Sequence, residues 1–220
     1  MPPLVRKAGV VVRSGWPIPW NPWPHDMIIT VDDRPQQLLE LLWVRDTWSL
    51  AAGHPDPPPS LVQAAPAGAI PDDGWATWDA AWSGLWQGAV EHAGRVIGAD
   101  AHAKLTRPNL APPERRALLA QIVGPNWRDQ FGDEGLGDAY QSWQAVHQRN
   151  RGARRRELMS AELERHALDE LAPAWKRGLT KIVTIPCRGD HTRTIGAHTL
   201  LVTDETREDL GRYRRALATF

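Results

Sequence analysis

Tryptophans recur at helical spacing between Trp75 and Trp86. The four of them, at positions 75, 78, 82 and 86, fall within about 80° of one another if the segment is a helix. Four indoles present about 600–1,000 Å² of largely apolar surface, whereas the largest apolar patch on a typical monomer is about 300–600 Å². We therefore predict a central helix over residues 74–97 whose tryptophan stripe is covered by the rest of the chain.

The opposite face of this predicted helix carries small residues. Ala80, Gly84 and Gly88 follow one another at a spacing of four. Glycine inside a helix costs about 1 kcal/mol relative to alanine, so a close packing partner would explain why it is used twice. We predict that a second element approaches this face.

The two ends of the chain have a different hydrophobic pattern. Short runs at 9–13 and 27–31, and again at 181–187 and 193–203, are typical of strands. Between them, apolar spacing predicts helices over 35–50 and 112–123, and two more that are separated by a break or a kink at residues 150–152. A last helix is predicted over 204–218. The predicted fold class is α+β, with a mostly helical middle and a small antiparallel or mixed sheet built from the N-terminal and C-terminal strands.

Proline divides the chain into predicted units. Residues 1–26 form a Pro/Trp-rich N-terminal extension, and residues 27–220 a single α+β domain with a Pro-rich linker at about 53–74. The strand that begins at Met27 also leaves open that Met27 is the native start and that residues 1–26 are an upstream extension.

Composition and charge narrow the class of protein only slightly. The chain has 220 residues, 26 basic and 26 acidic side chains, and one cysteine. Balanced charge gives no global attraction to nucleic acid or to a membrane surface, and one cysteine excludes an intramolecular disulfide framework. The apolar run near the N-terminus is too short for a signal peptide, and no long uncharged apolar run predicts a membrane span. We expect a cytoplasmic protein.

Trp16, Trp20 and Trp23 alternate with four prolines, which hold this segment extended rather than helical. One interpretation is a loop whose indoles stack on the core. The other is an aromatic strip that docks onto a partner. The three tryptophans are therefore candidate binding residues.

Five arginines within eight residues form the second candidate binding surface. They have no acid among them: Arg149, Arg151, Arg154, Arg155 and Arg156. Such a cluster is either a solvated or salt-bridged helix face, or an anion-binding surface for an acidic protein, RNA or DNA. No helix-turn-helix, RRM or KH signature indicates a specific nucleic-acid fold.

Cys187, His191 and His198 make the only close Cys/His grouping, and they are the candidate catalytic residues. A hairpin could bring the three together, but a tetrahedral zinc site would need a distant fourth ligand. The chain has no HExxH, paired CxxC, P-loop, GxSxG or dinucleotide fingerprint. We therefore predict no metal site, and no cofactor is indicated.

These features favour a non-catalytic interaction or assembly protein that binds another macromolecule, in the first place a protein, through its aromatic and Arg-rich surfaces. One alternative is a hydrolase or transferase with a Cys/His site near the C-terminal hairpin. A second is a nucleic-acid binder that uses the arginine cluster. The sequence does not indicate the oligomeric state.

Overall fold

The computed structural model of the protein describes residues 10–13, 23–53, 57–63, 74–95, 99–107, 109–161 and 163–220. Within these ranges it describes all side chains except those of residues 10–13, 99, 100, 102 and 153–161. Strands lie near both ends of the chain and helices fill the middle, so the predicted α+β class is confirmed.

In the described part of the chain, five strands form one mixed sheet. They are β1 (Val10–Arg13), β2 (Ile28–Asp32), β3 (Lys181–Ile185), β4 (Thr192–Ile195) and β5 (Thr199–Thr203). The spatial order is β1-β2-β3-β5-β4. The three central strands are parallel, and each edge strand is antiparallel to its neighbour.

The helices that the structure describes connect and cover these strands. They are α1 (Gln36–Trp48), α2 (Trp75–Ala93), α3 (Ala99–Leu105), α4 (Pro112–Val123), α5 (Trp127–Phe131), α6 (Gly137–Ala161), α7 (Leu163–His166), α8 (Leu168–Lys176), α9 (Asp204–Glu208) and α10 (Leu210–Thr219). None of them has the length and apolar composition needed to cross a membrane.

The sheet separates two hydrophobic cores because side chains of a strand alternate between its faces. Val183 and Ile185 of β3 belong to the core formed with α1, α2, α5 and the first turns of α6. Ile182 of the same strand belongs to the core formed with α8 and α10. Helices therefore cover both faces, which is the usual environment of parallel strands and explains why β5 is buried along its whole length.

The tryptophan stripe of α2 lies in the first core. Trp78, Trp82 and Trp86 are 5%, 0% and 2% exposed. The indole of Trp82 donates a hydrogen bond to the carbonyl of Leu41 in α1 at 2.8 Å. The rings of Trp82 and Trp86 stack with their centroids 5.5 Å apart. This confirms the prediction that the chain itself covers the stripe.

The prediction for the opposite face of α2 is mostly wrong. Ala80 and Gly84 are exposed, and a Cβ added at Gly84 would meet nothing within 4 Å. Only Gly88 has a close neighbour on this face, because a Cβ added at Gly88 would lie 3.2 Å from Pro125. The contact that is too close for any side chain is instead at Gly94, just after the helix. A Cβ added there would lie 2.4 Å from Ile195 of β4.

Four predicted element boundaries are corrected by the structure. The central helix, predicted over 74–97, ends at Ala93, and the last helix, predicted over 204–218, is two helices, α9 and α10. Helix α6 continues through residues 150–152, where a break was predicted, and Gly152 lies inside it. The predicted strand over 193–203 is two strands, β4 and β5, because Gly196 takes a φ of +57° in the turn between them.

Part of the predicted linker is held against the sheet. Leu61 forms an isolated β-bridge with Cys187, just beyond the end of β3. Arg45 of α1 donates to the carbonyls of Pro58 and Pro59, and Asp46 accepts from the backbone amide of Leu61 at 2.7 Å. The division of the chain at residue 27 stays a prediction, and β1, from the predicted extension, lies at the edge of the sheet beside β2.

Candidate functional site

The arginine cluster lies on α6, and its members have different environments. Arg149 is exposed, and it makes no ion pair with a described residue. Arg151 is only 12% exposed in its side chain. Arg154, Arg155 and Arg156 are within the helix, but their side chains lie outside the described residues.

Arg151 reaches the carboxyl ends of the three parallel strands. Its guanidinium lies 3.4 Å from Asp204, which follows β5, and 4.0 Å from Asp33, which follows β2. It also donates to the hydroxyl of Thr184 in β3 at 3.0 Å. The guanidinium of Arg151 therefore links α6 to all three parallel strands of the sheet.

The two carboxylates around Arg151 are poorly accessible to water. The side chains of Asp33 and Asp204 are 14% and 9% exposed. One oxygen of Asp33, Oδ1, is buried without a hydrogen-bond partner, and the Arg34 guanidinium is 4.0 Å from it. Arg151 is the cation that the two acids share, so its removal would leave Asp204 without this partner and Asp33 with Arg34 alone, also at 4.0 Å.

Ligands of open α/β sheets bind outside the carboxyl ends of the strands, and in this protein loop contacts fill part of that edge. Gly189 of the loop after β3 donates its amide to Glu205 at 2.8 Å, and its carbonyl accepts from Thr203 at 2.7 Å. Asp190 accepts from the hydroxyl of Thr206 at 2.9 Å. The Arg-Gly-Asp sequence at 188–190 is therefore a turn held by α9.

The Cys/His grouping is not brought together by the hairpin. Cys187 follows β3, whereas the carbonyl of His198 accepts from the amides of Thr180 and Lys181 at the opposite end of that strand. A strand of this length spans about 16 Å. His191 is at the same end of the sheet as Cys187, and its amide donates to Thr206 at 3.1 Å.

The surroundings of Cys187 keep its thiol protonated. The residue is 0% exposed. Burial raises the pKa of Cys187 far above its usual range; the positive charge of Arg45 lowers it by less, and the negative charges of Asp46 and Asp204 raise it further. A cysteine acts as a nucleophile through its thiolate, so the environment of Cys187 disfavours that chemistry.

The three candidate tryptophans near the N-terminus are described only in part. Trp16 and Trp20 lie outside the described residues. Trp23 is half-buried and packs against the core of α8 and α10. The stacking interpretation therefore applies to Trp23, and the docking interpretation remains a prediction for Trp16 and Trp20.

Sequence reasoning missed the acidic partners of Arg151. Neither Asp33 nor Asp204 is an N-cap, because the structure gives the N-cap positions of α1 and α9 to Pro35 and Thr203. The available signal was that both acids lie within two residues of the end of a predicted strand. Acids at the carboxyl ends of parallel strands of one sheet lie at the same edge, here with β3 between β2 and β5, but the parallel order itself was not predictable.

In the part of the chain that the structure describes, no three His, Cys, Asp or Glu side chains are grouped so that they could hold a metal ion. The chain matches no protein-family model, no curated protein and no solved structure. The functional inference therefore depends on the residues of this chain alone.

Proposed function

We propose that the protein is a non-catalytic, cytoplasmic interaction protein that holds an acidic protein partner through the arginine cluster of α6. The observation that carries the proposal is the contrast between Arg149 and Arg151. Arg151 fixes the helix to the sheet, whereas Arg149, two residues away, is exposed and has no acidic partner among the described residues.

A fixed helix is a suitable carrier for such a surface. Gln144 donates to Gln36 of α1 at 3.0 Å, and Gln36 donates to Tyr140 at 2.9 Å. Trp143 packs on Trp43 with ring centroids 5.2 Å apart. Because α6 is held along its first four turns, an exposed arginine next to that region loses little backbone freedom when a partner binds.

An acidic protein is preferred to nucleic acid because of the charge distribution. The whole chain carries 26 basic and 26 acidic side chains, so long-range attraction to a polyphosphate is weak. A protein partner requires only local complementarity, in which arginine is the usual cation because its guanidinium pairs with a carboxylate through two hydrogen bonds. Trp16 and Trp20 remain part of the proposed contact surface on the sequence pattern alone.

The enzyme alternative has less support. It needs Cys187 as a thiolate or a nearby histidine as its base, and burial raises the pKa of that thiol. His198 lies at the other end of β3. No observation in the described residues favours a hydrolase or transferase over an interaction protein.

The test uses a double charge reversal, Arg149→Glu with Arg154→Glu, in the full chain. Binding of labelled poly-L-glutamate and of a short single-stranded RNA is measured by fluorescence anisotropy at low and physiological salt. We expect the variant to lose about 10-fold or more of its affinity for poly-L-glutamate. The matched control, Arg95→Glu with Arg107→Glu, makes the same charge change at exposed positions outside α6 and should lose much less.

Equal loss in the variant and in its control would overturn the proposal, because binding would then follow net charge rather than α6. RNA binding at least about 10-fold tighter than poly-L-glutamate binding would replace the proposal by the nucleic-acid alternative. In that case the protein as purified should also carry absorbance near 260 nm that high salt removes.

A further inference from the structure

Residues 58–62, in the proline-rich segment between α1 and α2, are held in the manner of a bound peptide, and we call them the strap. Two antiparallel contacts fix the strap backbone just beyond the end of β3. The amide of Val62 donates to the carbonyl of Pro186 at 2.9 Å, and the amide of Arg188 donates to the carbonyl of Ser60 at 2.8 Å. The strap itself belongs to no helix and to no strand of the sheet.

Side chains from α1 and from the loop after β3 complete the binding of the strap. Arg45 donates to the carbonyls of both strap prolines. Asp46, which pairs with Arg45 at 2.6 Å, accepts from the amide of Leu61 at 2.7 Å. Arg188 donates through Nε to the carbonyl of Leu61 at 3.1 Å. Proline has a carbonyl acceptor but no amide donor, so a surface that binds prolines has to supply donors, as the two arginines do. Arg45, Asp46 and residues 186–188 are the strap site.

Leu61 is the apolar anchor of the strap. It is 1% exposed and forms an isolated β-bridge with Cys187. The hydrogen bonds on either side of this bridge make it a non-hydrogen-bonded pair, the kind in which opposing side chains are closest. The Leu61 side chain therefore lies beside the Cys187 thiol, in the core of α1 and α2. Main-chain hydrogen bonds with one anchoring side chain are the usual mode by which an extended peptide adds to a strand.

Release of the strap costs less than its hydrogen bonds suggest. The side chains of Arg45 and Asp46 are only 6% and 13% exposed, and burial of a charged pair carries a desolvation penalty. Water that reaches the pair when the strap leaves removes part of this penalty. Within the strap, only Pro58 and Leu61 are buried. Segments with few buried apolar contacts open at a lower free energy than the whole fold.

We propose that the strap is a tethered ligand of its own chain, and that the strap site binds an extended, proline-containing peptide of a partner protein. The occupant that the structure shows in the site defines the partner segment: two prolines, a small exposed residue and a leucine. The proline carbonyls pair with Arg45, and the leucine takes the place of Leu61 beside Cys187. Because a tether gives the strap an effective concentration of about 1 mM, it outcompetes weak peptides in the wild type.

The test measures binding of a fluorescein-labelled peptide with the sequence of residues 57–63 to the full chain by fluorescence anisotropy. Leu61→Ala weakens the strap but not the peptide, so this variant should bind the peptide about 10-fold tighter than the wild type or more. Gln63→Ala, at an exposed position next to the strap, is the matched control and should bind like the wild type. A peptide with serine in place of its leucine should bind Leu61→Ala about 10-fold more weakly.

Two further measurements locate the bound peptide. Arg188→Met, added to Leu61→Ala, removes a donor of the strap site and should weaken peptide binding about 3-fold or more. The Cys187 thiol of Leu61→Ala should react with a maleimide about 10-fold faster than that of the wild type. Saturating peptide should slow this reaction again, because the leucine of the peptide then covers the thiol.

Equal affinities of the wild type and of folded Leu61→Ala for the peptide overturn the proposal. So does a peptide that binds Leu61→Ala without protecting Cys187, because it then lies elsewhere. If far-ultraviolet circular dichroism shows that Leu61→Ala does not fold, Ser60→Gly replaces it. This change alters no buried side chain and favours the released strap, so it should tighten peptide binding about 3-fold. A Ser60→Gly protein that binds no tighter than the wild type overturns the proposal as well.

Discussion

Arg151 lies between the carboxylates of Asp33 and Asp204, which are 14% and 9% exposed, and this makes it more important for stability than the exposed Arg149 on the same helix. Breaking a buried ion pair by removing one partner costs about 3–5 kcal/mol, because an uncompensated charge is left in a medium of low polarity. Arg34, 4.0 Å from Asp33, offsets only part of that loss. An exposed arginine on the same helix has no such role.

We therefore expect Arg151→Met to lower the free energy of unfolding by about 3 kcal/mol. Arg149→Met, with the same chemical change at an exposed position, should change it by less than about 0.5 kcal/mol. Urea titrations followed by tryptophan fluorescence give both values. Similar unfolding midpoints for the two variants would show that the contacts of Arg151 with the sheet do not stabilise the fold.

Cys187 predicts a specific dependence of stability on pH. Its pKa is raised in the folded protein by burial, so the unfolded chain loses the thiol proton first, near its ordinary pKa of about 8.5. The contribution of this group is fully present below that pH and is lost as the pH rises above it. Tyr140 and Tyr213, whose pKa values are also raised by burial, contribute in the same direction only above about pH 10.

The free energy of unfolding of the wild type should accordingly fall between pH 8 and 9.5, by at most about 1.4 kcal/mol per pH unit from this group. The comparison is Cys187→Ala, which is less stable at pH 7 but should show a flatter slope across the same interval. Parallel slopes for the two proteins would mean that the thiol ionises equally in the folded and unfolded states.

At the scale of elements, glycine has opposite effects on stability at two positions in and next to α2. Gly84 lies in the helix with open space around it, and Gly94, just after the helix, lies against Ile195. Alanine adds the same methyl group at both positions. In the first case it restricts the unfolded chain and favours helix, and in the second it forces the helix end away from β4.

We expect Gly84→Ala to raise the free energy of unfolding by about 0.5–1 kcal/mol. Gly94→Ala should lower it by about 1–3 kcal/mol, the usual cost of overpacking. Thermal unfolding of the two variants beside the wild type measures both. If both variants shift the midpoint in the same direction, the close approach of Gly94 to Ile195 does not limit the packing.

Local patterns predicted the elements well where one physical cause dominated. The period of the tryptophans is fixed by the single face that α2 buries, and the β-branched runs reflect strands buried on both sides. Small residues carry no such information, which is why Ala80 and Gly84 were assigned a packing partner that they do not have. Gly152 was interpreted as a break, although Arg151 beside it is held by Asp33 and Asp204.

The candidate site was less predictable than the elements. The arginine run on α6 is visible in the sequence, but the difference between Arg149 and Arg151 depends on which side of the helix faces the sheet. The order of the strands, which places Asp33 and Asp204 on either side of β3 at the same edge of the sheet, results from pairing between distant segments.

At the scale of the whole molecule, the sheet couples two cores that share no helix. β3 and β5 contribute side chains to both cores, as Ile182 and Val183 do in β3, whereas the buried residues of β2 lie in the core of α8 and α10. Loss of one core exposes one face of the same strands. The two layers should therefore unfold as one cooperative unit, as small single domains usually do.

Leu171→Ala tests this coupling from the core of α8 and α10, where Leu171 is 0% exposed. It should destabilise the protein by about 2–5 kcal/mol. Most described tryptophans lie in the other core, so their fluorescence reports on the layer that was not changed. The fluorescence and far-ultraviolet circular dichroism midpoints should decrease together. A fluorescence midpoint equal to that of the wild type would show that the two layers unfold independently.

The register of β2 with β3 has a consequence for how the chain acquires its structure during synthesis. Thr30 pairs with Lys181, so two neighbouring strands are separated by about 150 residues, and contacts so distant in sequence slow folding. The ribosome releases β2 long before β3 exists. β1, which precedes β2 in the chain, can already pair with one edge of β2, but the other edge has no partner strand. Met27, Ile29 and Val31, which are at most 1% exposed in the folded protein, also lack α8 and α10, which cover them. For that interval we expect the nascent chain to bind chaperones that recognise extended apolar segments.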